Sequence, residues 1–150
     1  MTATISSGLT LQVLTLPAST RTAAEAAAAV GCTVGQIIKS LIFRTTTHDA
    51  PILVLASGAN RVDETRLAEL VGELIAKADA AFVRMHTGYA IGGVAPVGHP
   101  QPLRTFIDAD LLVYEQLWAA AGTPNSVFAL RPDDLQMLTD GTVVALSDAQ

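Results

Sequence analysis

The sequence predicts an α/β fold of the α+β type, with a mixed, mainly antiparallel sheet and flanking helices. Three observations support this prediction. Stretches with the alternation or the β-branched content of strands recur along the whole chain of 150 residues. Short capped helices separate some of them, without the strict strand–helix alternation of a parallel sheet. Half of the residues are hydrophobic, which suffices for one substantial core, so residues 1–150 are expected to form a single domain.

The first half of the chain shows strand patterns and one clearly capped helix. The stretch "LTLQVLTL" alternates apolar and polar residues, as a half-buried strand does. Thr22 and Glu25 have the spacing of a capping box, and the alanine run that follows ends at Gly31, a natural C-cap. Two later runs are dense in β-branched and large apolar residues, which is typical of buried strands. This half is therefore predicted to contain a helix at 23–30 and strands at 9–16, 38–46 and 50–58.

Caps and helix breakers also define the second half. Asp63 is placed to cap a helix that Gly72 ends, and Asp79 is placed to cap another short helix. The Gly- and Pro-rich segment 87–102 predicts a loop. Pro132 suits the first position of a last helix. The remaining predicted strands are 74–77, 103–108, 116–122, 126–130 and 142–146.

Charge and composition restrict the class of protein. A net charge of −5 with nine scattered Lys and Arg residues opposes broad contact with phosphates, so no DNA partner is expected. No apolar run reaches the ~20 residues of a membrane helix, and the N-terminus lacks the basic start and apolar core of a signal peptide. The single cysteine, Cys32, excludes an internal disulfide and fits a reducing compartment. These features predict a cytoplasmic protein without a membrane partner.

One of the only two lysines, Lys39, lies inside the most apolar run, "GQIIKSLIF". In an extended strand it shares a face with Ile37, Leu41 and Phe43, while Ile38, Ser40 and Ile42 point the other way. Because both faces are apolar, the strand is expected to be central. The simpler interpretation is an ammonium that reaches water at a strand end. The alternative is a cation fixed at a pocket wall for an anionic or carbonyl group.

The stretch "GGVAP" is a second candidate. Adjacent glycines, Gly92 and Gly93, allow positive φ and a close approach of the backbone, and Pro96 fixes the exit of the loop. Such a loop can direct N–H groups at a ligand oxygen, although a tight turn alone explains the pattern equally well.

Other chemistry has little support in the residues. The spacing of His48, His86 and His99 fits no zinc motif, and neither a G-x-S-x-G nor a phosphate-binding Walker loop occurs. We therefore expect no metal and no cofactor. The residues alone support an α/β domain with a candidate anion or carbonyl site.

The stretches "QIIKSLIF", "TGYAIGGVAPVGH" and "FIDADL", in this order and at these separations, resemble the YbaK/ProX family. Its members are relatives of the editing domain inserted in bacterial prolyl-tRNA synthetases. The resemblance implies a YbaK-like fold and a freestanding deacylase that hydrolyses the ester of mischarged tRNA. It also implies the tRNA 3′ acceptor end as a partner, with prolyl-tRNA synthetase as a further candidate.

The resemblance also assigns residues to the site. Lys39 matches the characteristic lysine of the family, and the "TGY" and "GGVAP" stretches match its substrate loop. In the strand that follows, an aspartate matches as well. The implied catalytic residues are Lys39, Gly92 and Gly93, and the implied substrate-binding residues are Thr87, Gly88, Tyr89, Val94, Pro96, Asp108 and Ser126.

The sequence departs from the family where the amino acid is selected. Some relatives have a histidine near the strand that follows "AAG", whereas this chain has Asn125 and Ser126 there. The predicted substrate is therefore Cys-tRNAPro or Ala-tRNAPro, without a choice between them. Two alternatives stay open: a non-catalytic binding protein for aminoacyl-adenosine or nucleotide-like ligands, and a hydrolase or regulator of a small metabolite.

The family implies a mechanism without a protein nucleophile. A water oriented by the neighbouring ribose hydroxyl, or the side chain of a cysteinyl substrate, would attack the ester. The N–H groups of Gly92, Gly93 and Val94 would bind the carbonyl oxygen, and Lys39 would hold the terminal phosphate or ribose.

Overall fold

The structure is a computed structural model that describes residues 2–4, 10–16, 22–90, 94–97, 99–122 and 125–147. The helices in these ranges are α1 (Ala23–Val30), α2 (Glu64–Val71), α3 (Ala80–Thr87) and α4 (Pro132–Thr139). The strands are β1 (Thr2–Thr4), β2 (Thr10–Thr15), β3 (Ile38–Thr45), β4 (Pro51–Ser57), β5 (Ile75–Lys77), β6 (Arg104–Asp108), β7 (Leu117–Ala120), β8 (Ser126–Leu130) and β9 (Thr142–Val144). Within the described ranges, every helix falls short of the length and apolar character that a membrane crossing requires.

The strands form two sheets, which we call the large and the small sheet. The large sheet has the order β5-β3-β4-β6-β9, and the small sheet has the order β1-β2-β8-β7. All pairs are antiparallel except β4 with β6 and β6 with β9. The expected mixed, mainly antiparallel α+β fold is thereby confirmed, but the strands are divided between two sheets rather than joined in one.

Local caps form the helices as predicted. The Thr22 hydroxyl accepts a hydrogen bond from the Glu25 N–H at 3.1 Å, and the Glu25 carboxylate accepts one from the Thr22 N–H at 3.2 Å. Asp63 and Asp79 cap α2 and α3 through their side chains. The left-handed backbone of Gly31, with φ of 76°, ends α1. These contacts lie within single turns, which explains why the sequence alone locates the helix ends.

Three short elements were not predicted. They are β1 and two 3₁₀ turns, Val34–Gln36 and Ala109–Val113. Each has only three to five residues, which is too short for a hydrophobic period to show. The second turn follows β6 directly and becomes important for the site.

The main core lies between the two sheets. Leu53 and Leu55 of β4 and Ile107 of β6 pack there against Leu117 and Phe128 of the small sheet. The other face of the large sheet packs on α2 through a second cluster that includes Ile52, Val54, Ala56 and Leu67. Since β4 contributes to both clusters, it is the central strand.

Strand β3 is central along only part of its length. It pairs with β4 from Ile38 to Arg44, but β5 pairs with it only from Phe43 to Thr45. On the same side, β7 makes one bridge, between Trp118 and Ile37. Just beyond β5, the Ala78 N–H donates to the Ile42 carbonyl at 3.3 Å. The segment 39–41 therefore has an edge that neither neighbour pairs in the described part of the chain, and we call it the open edge of β3. The expectation of a central strand fails there because β5 is too short to cover it.

Candidate functional site

A cleft of about 890 Å³ lies along the open edge of β3. Residues 37–43 line it from both faces of the strand, the end of β5 lines it at one side, and β7 lines it at the other. Its polar part contains Lys39, Asn60, Arg61 and Glu64. Its apolar part includes small and medium side chains, such as Val83, Val94, Ala119 and Val127, together with the larger Trp118. The cleft therefore joins a cationic region and a hydrophobic region at one strand.

Lys39 lies in the polar part of this cleft. Its side chain is half-buried, and its ammonium donates a hydrogen bond to the backbone carbonyl of Asn60. Ile37 and Leu41 share its face of β3, and the bond to Asn60 holds the ammonium at the wall of the cleft. The role of this ammonium as a fixed cation for a ligand stays a prediction.

Burial lowers the pKa of Lys39, because the charged ammonium loses hydration. The negative charge of Asp108 acts in the opposite direction and raises this pKa, while the nearby Arg61 lowers it further. The net effect is an ammonium that gives up its proton more easily than that of an ordinary lysine.

Nuclear magnetic resonance can check this shift directly, because the chain has only two lysines. With ¹⁵N-labelled lysine, we expect the Lys39 ammonium to titrate at a lower pH than an ordinary lysine. The ammonium is present below that midpoint and lost above it, so a function that depends on the charge should decline as the pH rises through it. A Lys77→Arg variant assigns the remaining signal to Lys39. A midpoint at or above the ordinary lysine value would contradict the burial argument.

The carbonyl that receives Lys39 belongs to a turn that is fixed by two carboxylates. The Asn60 amide donates to Asp108 Oδ2 at 2.9 Å and to Asp110 Oδ2 at 2.8 Å. Asp108 also accepts hydrogen bonds from the Ser57 N–H at 3.1 Å and from the Asp110 N–H at 3.0 Å. We call this arrangement of Ser57, Asn60, Asp108 and Asp110 the Asn60 clamp. It joins the end of β4 to the 3₁₀ turn after β6 and so fixes the position of the Lys39 partner.

The predicted glycine loop is partly visible at the apolar end of the cleft. Val94 is buried and lines the cleft, and Pro96 is buried behind it. Gly92 and Gly93 lie outside the described residues, so their roles stay predictions. The loop and Lys39 thus reach the same cleft from opposite faces of β3.

The predicted residues Thr87, Gly88 and Tyr89 do not line the cleft. The Thr87 hydroxyl donates to the Val83 carbonyl at 2.7 Å and accepts from the Tyr89 N–H at 3.0 Å. Gly88 ends α3 with a positive φ of 77°. The Tyr89 hydroxyl donates to the Val97 carbonyl at 3.0 Å. These contacts fix the described part of the loop behind the cleft wall.

His99 strengthens the same loop. Its ring contacts Tyr89 edge-on, and its Nε2 lies 2.8 Å from the carbonyl oxygen of Ala95, which accepts a hydrogen bond when Nε2 is protonated. Burial lowers the pKa of His99, while the hydrogen bond to Ala95 raises it. The Tyr89 and His99 rings therefore stabilise the described part of the loop by packing against each other, and His99 acts there as a packing residue rather than as a metal ligand.

The two remaining predicted residues lie below the surface. Asp108 is 1% exposed and reaches the cleft only through Asn60. Ser126 is buried in β8, next to Val127, which does line the cleft. Substrate contact by Asp108 and Ser126 stays a prediction, and the geometry gives Asp108 a clear positioning role.

Sequence reasoning missed Asn60 and Trp118 of the cleft. Asn60 follows a Ser-Gly turn and has no spacing that indicates a ligand. Trp118 is half-buried and lines the cleft from β7. Their contribution depends on pairing between distant segments, which no local pattern reports.

The cleft can bind a molecule that carries an anionic or oxygen-rich group beside a small apolar group. The ammonium of Lys39 and the guanidinium of Arg61 supply positive charge on one side. Among the described residues that line the cleft there is no histidine and no cysteine. A Ser-His or Cys-His arrangement is therefore missing from the described lining of the cleft.

Comparison with known proteins identifies the family of this chain. The model of the aminoacyl-tRNA editing domain family matches residues 17–138. The chain also resembles a solved structure described as a candidate trans-editing enzyme for prolyl-tRNA synthetase. The two are 49% identical, with a TM-score of 0.88, over 93% of this chain and 87% of the other.

Two curated relatives have similar lengths of match. YwhH of Bacillus subtilis (strain 168) is 31% identical over 117 residues, which are 78% of this chain and 74% of that protein. A candidate Cys-tRNA(Pro)/Cys-tRNA(Cys) deacylase, EbsC of Enterococcus faecalis (strain ATCC 700802 / V583), is 25% identical over 79% of this chain and 73% of that protein.

Proposed function

The chain belongs to the aminoacyl-tRNA editing domain family, and from this premise we propose that it is a deacylase that acts in trans on mischarged tRNA. Its substrate would be the ester between a wrong amino acid and the terminal ribose of the tRNA. The observation that carries the proposal is the Lys39 ammonium, held at the wall of a cleft that apolar side chains also line.

The two ends of the cleft suit the two ends of such an ester. Lys39 and Arg61 would hold the terminal phosphate or ribose by charge-assisted hydrogen bonds. The apolar end would accept a small amino-acid side chain and exclude larger ones by size. This is the second sieve of double-sieve editing, in which a small site hydrolyses what an upstream enzyme admitted by mistake.

The proposed reaction is ester hydrolysis with water as the co-reactant. A water oxygen attacks the carbonyl carbon, and negative charge develops on the carbonyl oxygen. The backbone N–H groups of Gly92, Gly93 and Val94 would stabilise this charge by donating hydrogen bonds to that oxygen. The bond from the carbonyl carbon to the ribose oxygen then breaks. The ribose oxygen leaves with a proton, and the free amino acid and an uncharged tRNA are the products.

The acidic chain favours contact with only the tip of the tRNA. A net charge of −5 is unfavourable for long contact with a phosphate backbone. We therefore propose the 3′ acceptor end as the bound part of the tRNA. Prolyl-tRNA synthetase, which the name of the similar solved structure mentions, is a candidate for supplying the mischarged tRNA.

A deacylation panel tests the proposal. Purified protein is incubated with Cys-tRNAPro, Ala-tRNAPro and Ser-tRNAPro, and correctly charged Pro-tRNAPro serves as the control substrate. We expect hydrolysis of one or more mischarged tRNAs well above the rate without protein, and little hydrolysis of Pro-tRNAPro. Turnover of none of them would contradict a deacylase of mischarged tRNAPro.

A binding protein for aminoacyl-adenosine or nucleotide-like ligands is the second candidate. It is favoured by the lack of a histidine or cysteine among the described residues of the cleft, since binding needs no catalytic base. Calorimetric titration with a non-hydrolysable aminoacyl-adenosine separates the two. Binding without turnover of any charged tRNA would support the second candidate and overturn the first.

A further inference from the structure

Ser40 has an unusual environment on β3. Its hydroxyl oxygen is buried and has no hydrogen-bond partner within the described residues. Its neighbours on the same face of the strand are Ile38 and Ile42, which belong to the core between the sheets. The cross-strand partner of Ser40 on β4 is Leu55. A hydroxyl therefore lies unsatisfied in an apolar setting.

A hydroxyl in this environment destabilises the folded protein unless a ligand supplies its hydrogen-bond partner. A buried polar group without a partner destabilises the folded protein, whereas an alanine at the same place would have no such cost. Ser40 lines the cleft, and rotation of its side chain about χ1 would turn the hydroxyl from this buried position toward a bound molecule. The unsatisfied state of the free protein thus indicates a hydrogen bond that forms on binding.

The position of Ser40 relative to Lys39 indicates which part of the ligand it meets. Adjacent residues of a strand project to opposite faces, so the two side chains enter the cleft from different sides of β3. Lys39 lies with Asn60 and Arg61 in the polar part. The face of Ser40 is the face of the core that includes Val83 and Val94. A ligand with its ribose end at Lys39 therefore presents its amino-acid side chain to Ser40.

The backbone of the same residue supports this orientation. The Gly58 N–H donates to the Ile37 carbonyl, and Lys39 is paired with Ala56, so Lys39 directs its own N–H and C=O toward β4. The N–H and C=O of Ser40 must then point along the open edge into the cleft. These backbone groups can bind the amino and carbonyl groups that all aminoacyl esters share. The Ser40 hydroxyl is then left to bind the amino-acid side chain, which differs between these esters.

We propose that Ser40 is a specificity-determining residue that favours aminoacyl groups with a hydroxyl or thiol on the β-carbon over alanine. This inference rests on the proposed function for the identity of the ligand. A hydrogen bond between the side chains distinguishes serine and cysteine from alanine, which fits the same apolar end but leaves the Ser40 hydroxyl unsatisfied. Sites that are built to hydrogen-bond a polar group discriminate strongly against analogues without it.

Binding measurements test this inference without requiring turnover. The probes are 3′-amide analogues of seryl-, cysteinyl- and alanyl-adenosine, which cannot be hydrolysed as esters, and their affinities are measured by calorimetry. For the wild type we expect the seryl analogue to bind about tenfold more tightly than the alanyl analogue, as one neutral hydrogen bond provides. Cysteinyl-adenosine should lie between them because a thiol is a weaker hydrogen-bonding group.

Two variants complete the test. Ser40→Ala should remove the preference by weakening the seryl analogue about tenfold and leaving the alanyl analogue nearly unchanged. Ser40→Thr keeps a hydroxyl and should keep the order of affinities, and thermal unfolding of both variants checks that the fold is intact. An equal loss for all three analogues, no preference in the wild type, or no binding of any analogue would overturn the inference.

The outcomes separate this inference from the proposed function. Selective binding without hydrolysis of any charged tRNA would overturn the deacylase and leave the role of Ser40 standing. Hydrolysis of charged tRNA together with equal binding of the three analogues would support the deacylase and overturn the role of Ser40.

Discussion

Replacement of Lys39 by alanine is expected to lower the rate of deacylation, measured as kcat/KM, at least tenfold. The ammonium is the charged group held most firmly at the cleft, and its loss removes at least one charge-assisted hydrogen bond to the substrate. Such a bond contributes about 1.5–3 kcal/mol, and about 1.4 kcal/mol corresponds to a factor of ten. Initial rates on the best substrate of the panel measure the effect, and circular dichroism confirms the fold of the variant.

Arg44→Ala is the matched control for this experiment. Arg44 lies on the same strand, is exposed, and pairs with Asp49 at 2.8 Å on the surface away from the cleft. The Arg44→Ala variant therefore loses a positive charge from β3 while the proposed site stays unchanged. Its deacylation activity should stay near that of the wild type. Full activity of Lys39→Ala, or an equal loss in both variants, would show that the Lys39 ammonium has no specific role.

Replacement of Asp108 by alanine is expected to give the largest loss of stability among the polar residues of the site. The carboxylate is buried and accepts hydrogen bonds from Ser57, Asn60 and Asp110. Alanine leaves the buried Ser57 N–H without its acceptor, which costs about 1–3 kcal/mol, and removes the charged bond to Asn60 as well. We expect the free energy of unfolding to fall by about 2–4 kcal/mol, measured by urea denaturation.

Asp110→Ala provides the comparison for Asp108. It removes the other carboxylate that binds the Asn60 amide, but at an exposed position where water can replace it. Its loss of stability should be clearly smaller. The milder Asp108→Asn variant then tests direct substrate contact: a raised KM in a stable protein would support contact, and unchanged KM would support positioning alone. Equal stability losses for Asp108→Ala and Asp110→Ala would contradict the importance of the buried clamp.

Features that depend on neighbouring residues could be predicted from the sequence. The capping box of Thr22 and Glu25 and the caps at Asp63 and Asp79 act within one helical turn, so the helix limits follow from local chemistry. Long-range pairing could not be predicted in this way. The separation into two sheets depends on contacts such as that of β2 with β8, whose residues are far apart in the chain. Periodicity identifies a strand but not its partner.

The residues of the site divide in the same way, into those that a local pattern predicts and those that depend on distant segments. Lys39 was identifiable because a lone ammonium in an apolar run needs an explanation. Asn60 was not identifiable, because its role depends on two carboxylates that are distant in the sequence. Asp108 follows it by 48 residues and Asp110 by 50. Thr87 and Tyr89 were assigned to the substrate through the family resemblance, whereas their contacts serve to support the loop.

The small sheet also has a consequence for the order in which the protein matures on the ribosome. Trp118 and Ala119 of the cleft belong to β7, whose strand partner in the described chain is β8, apart from the single bridge from Trp118 to Ile37. Strand β8 pairs in turn with β2. The register joins Val13 to Phe128, a contact between residues that are far apart in the sequence. Contacts of such high sequence separation form late, because the entropy of closing a long loop must first be overcome. The cleft is therefore completed only after β8 has been synthesised, and truncated chains that end before β8 lack one of its walls.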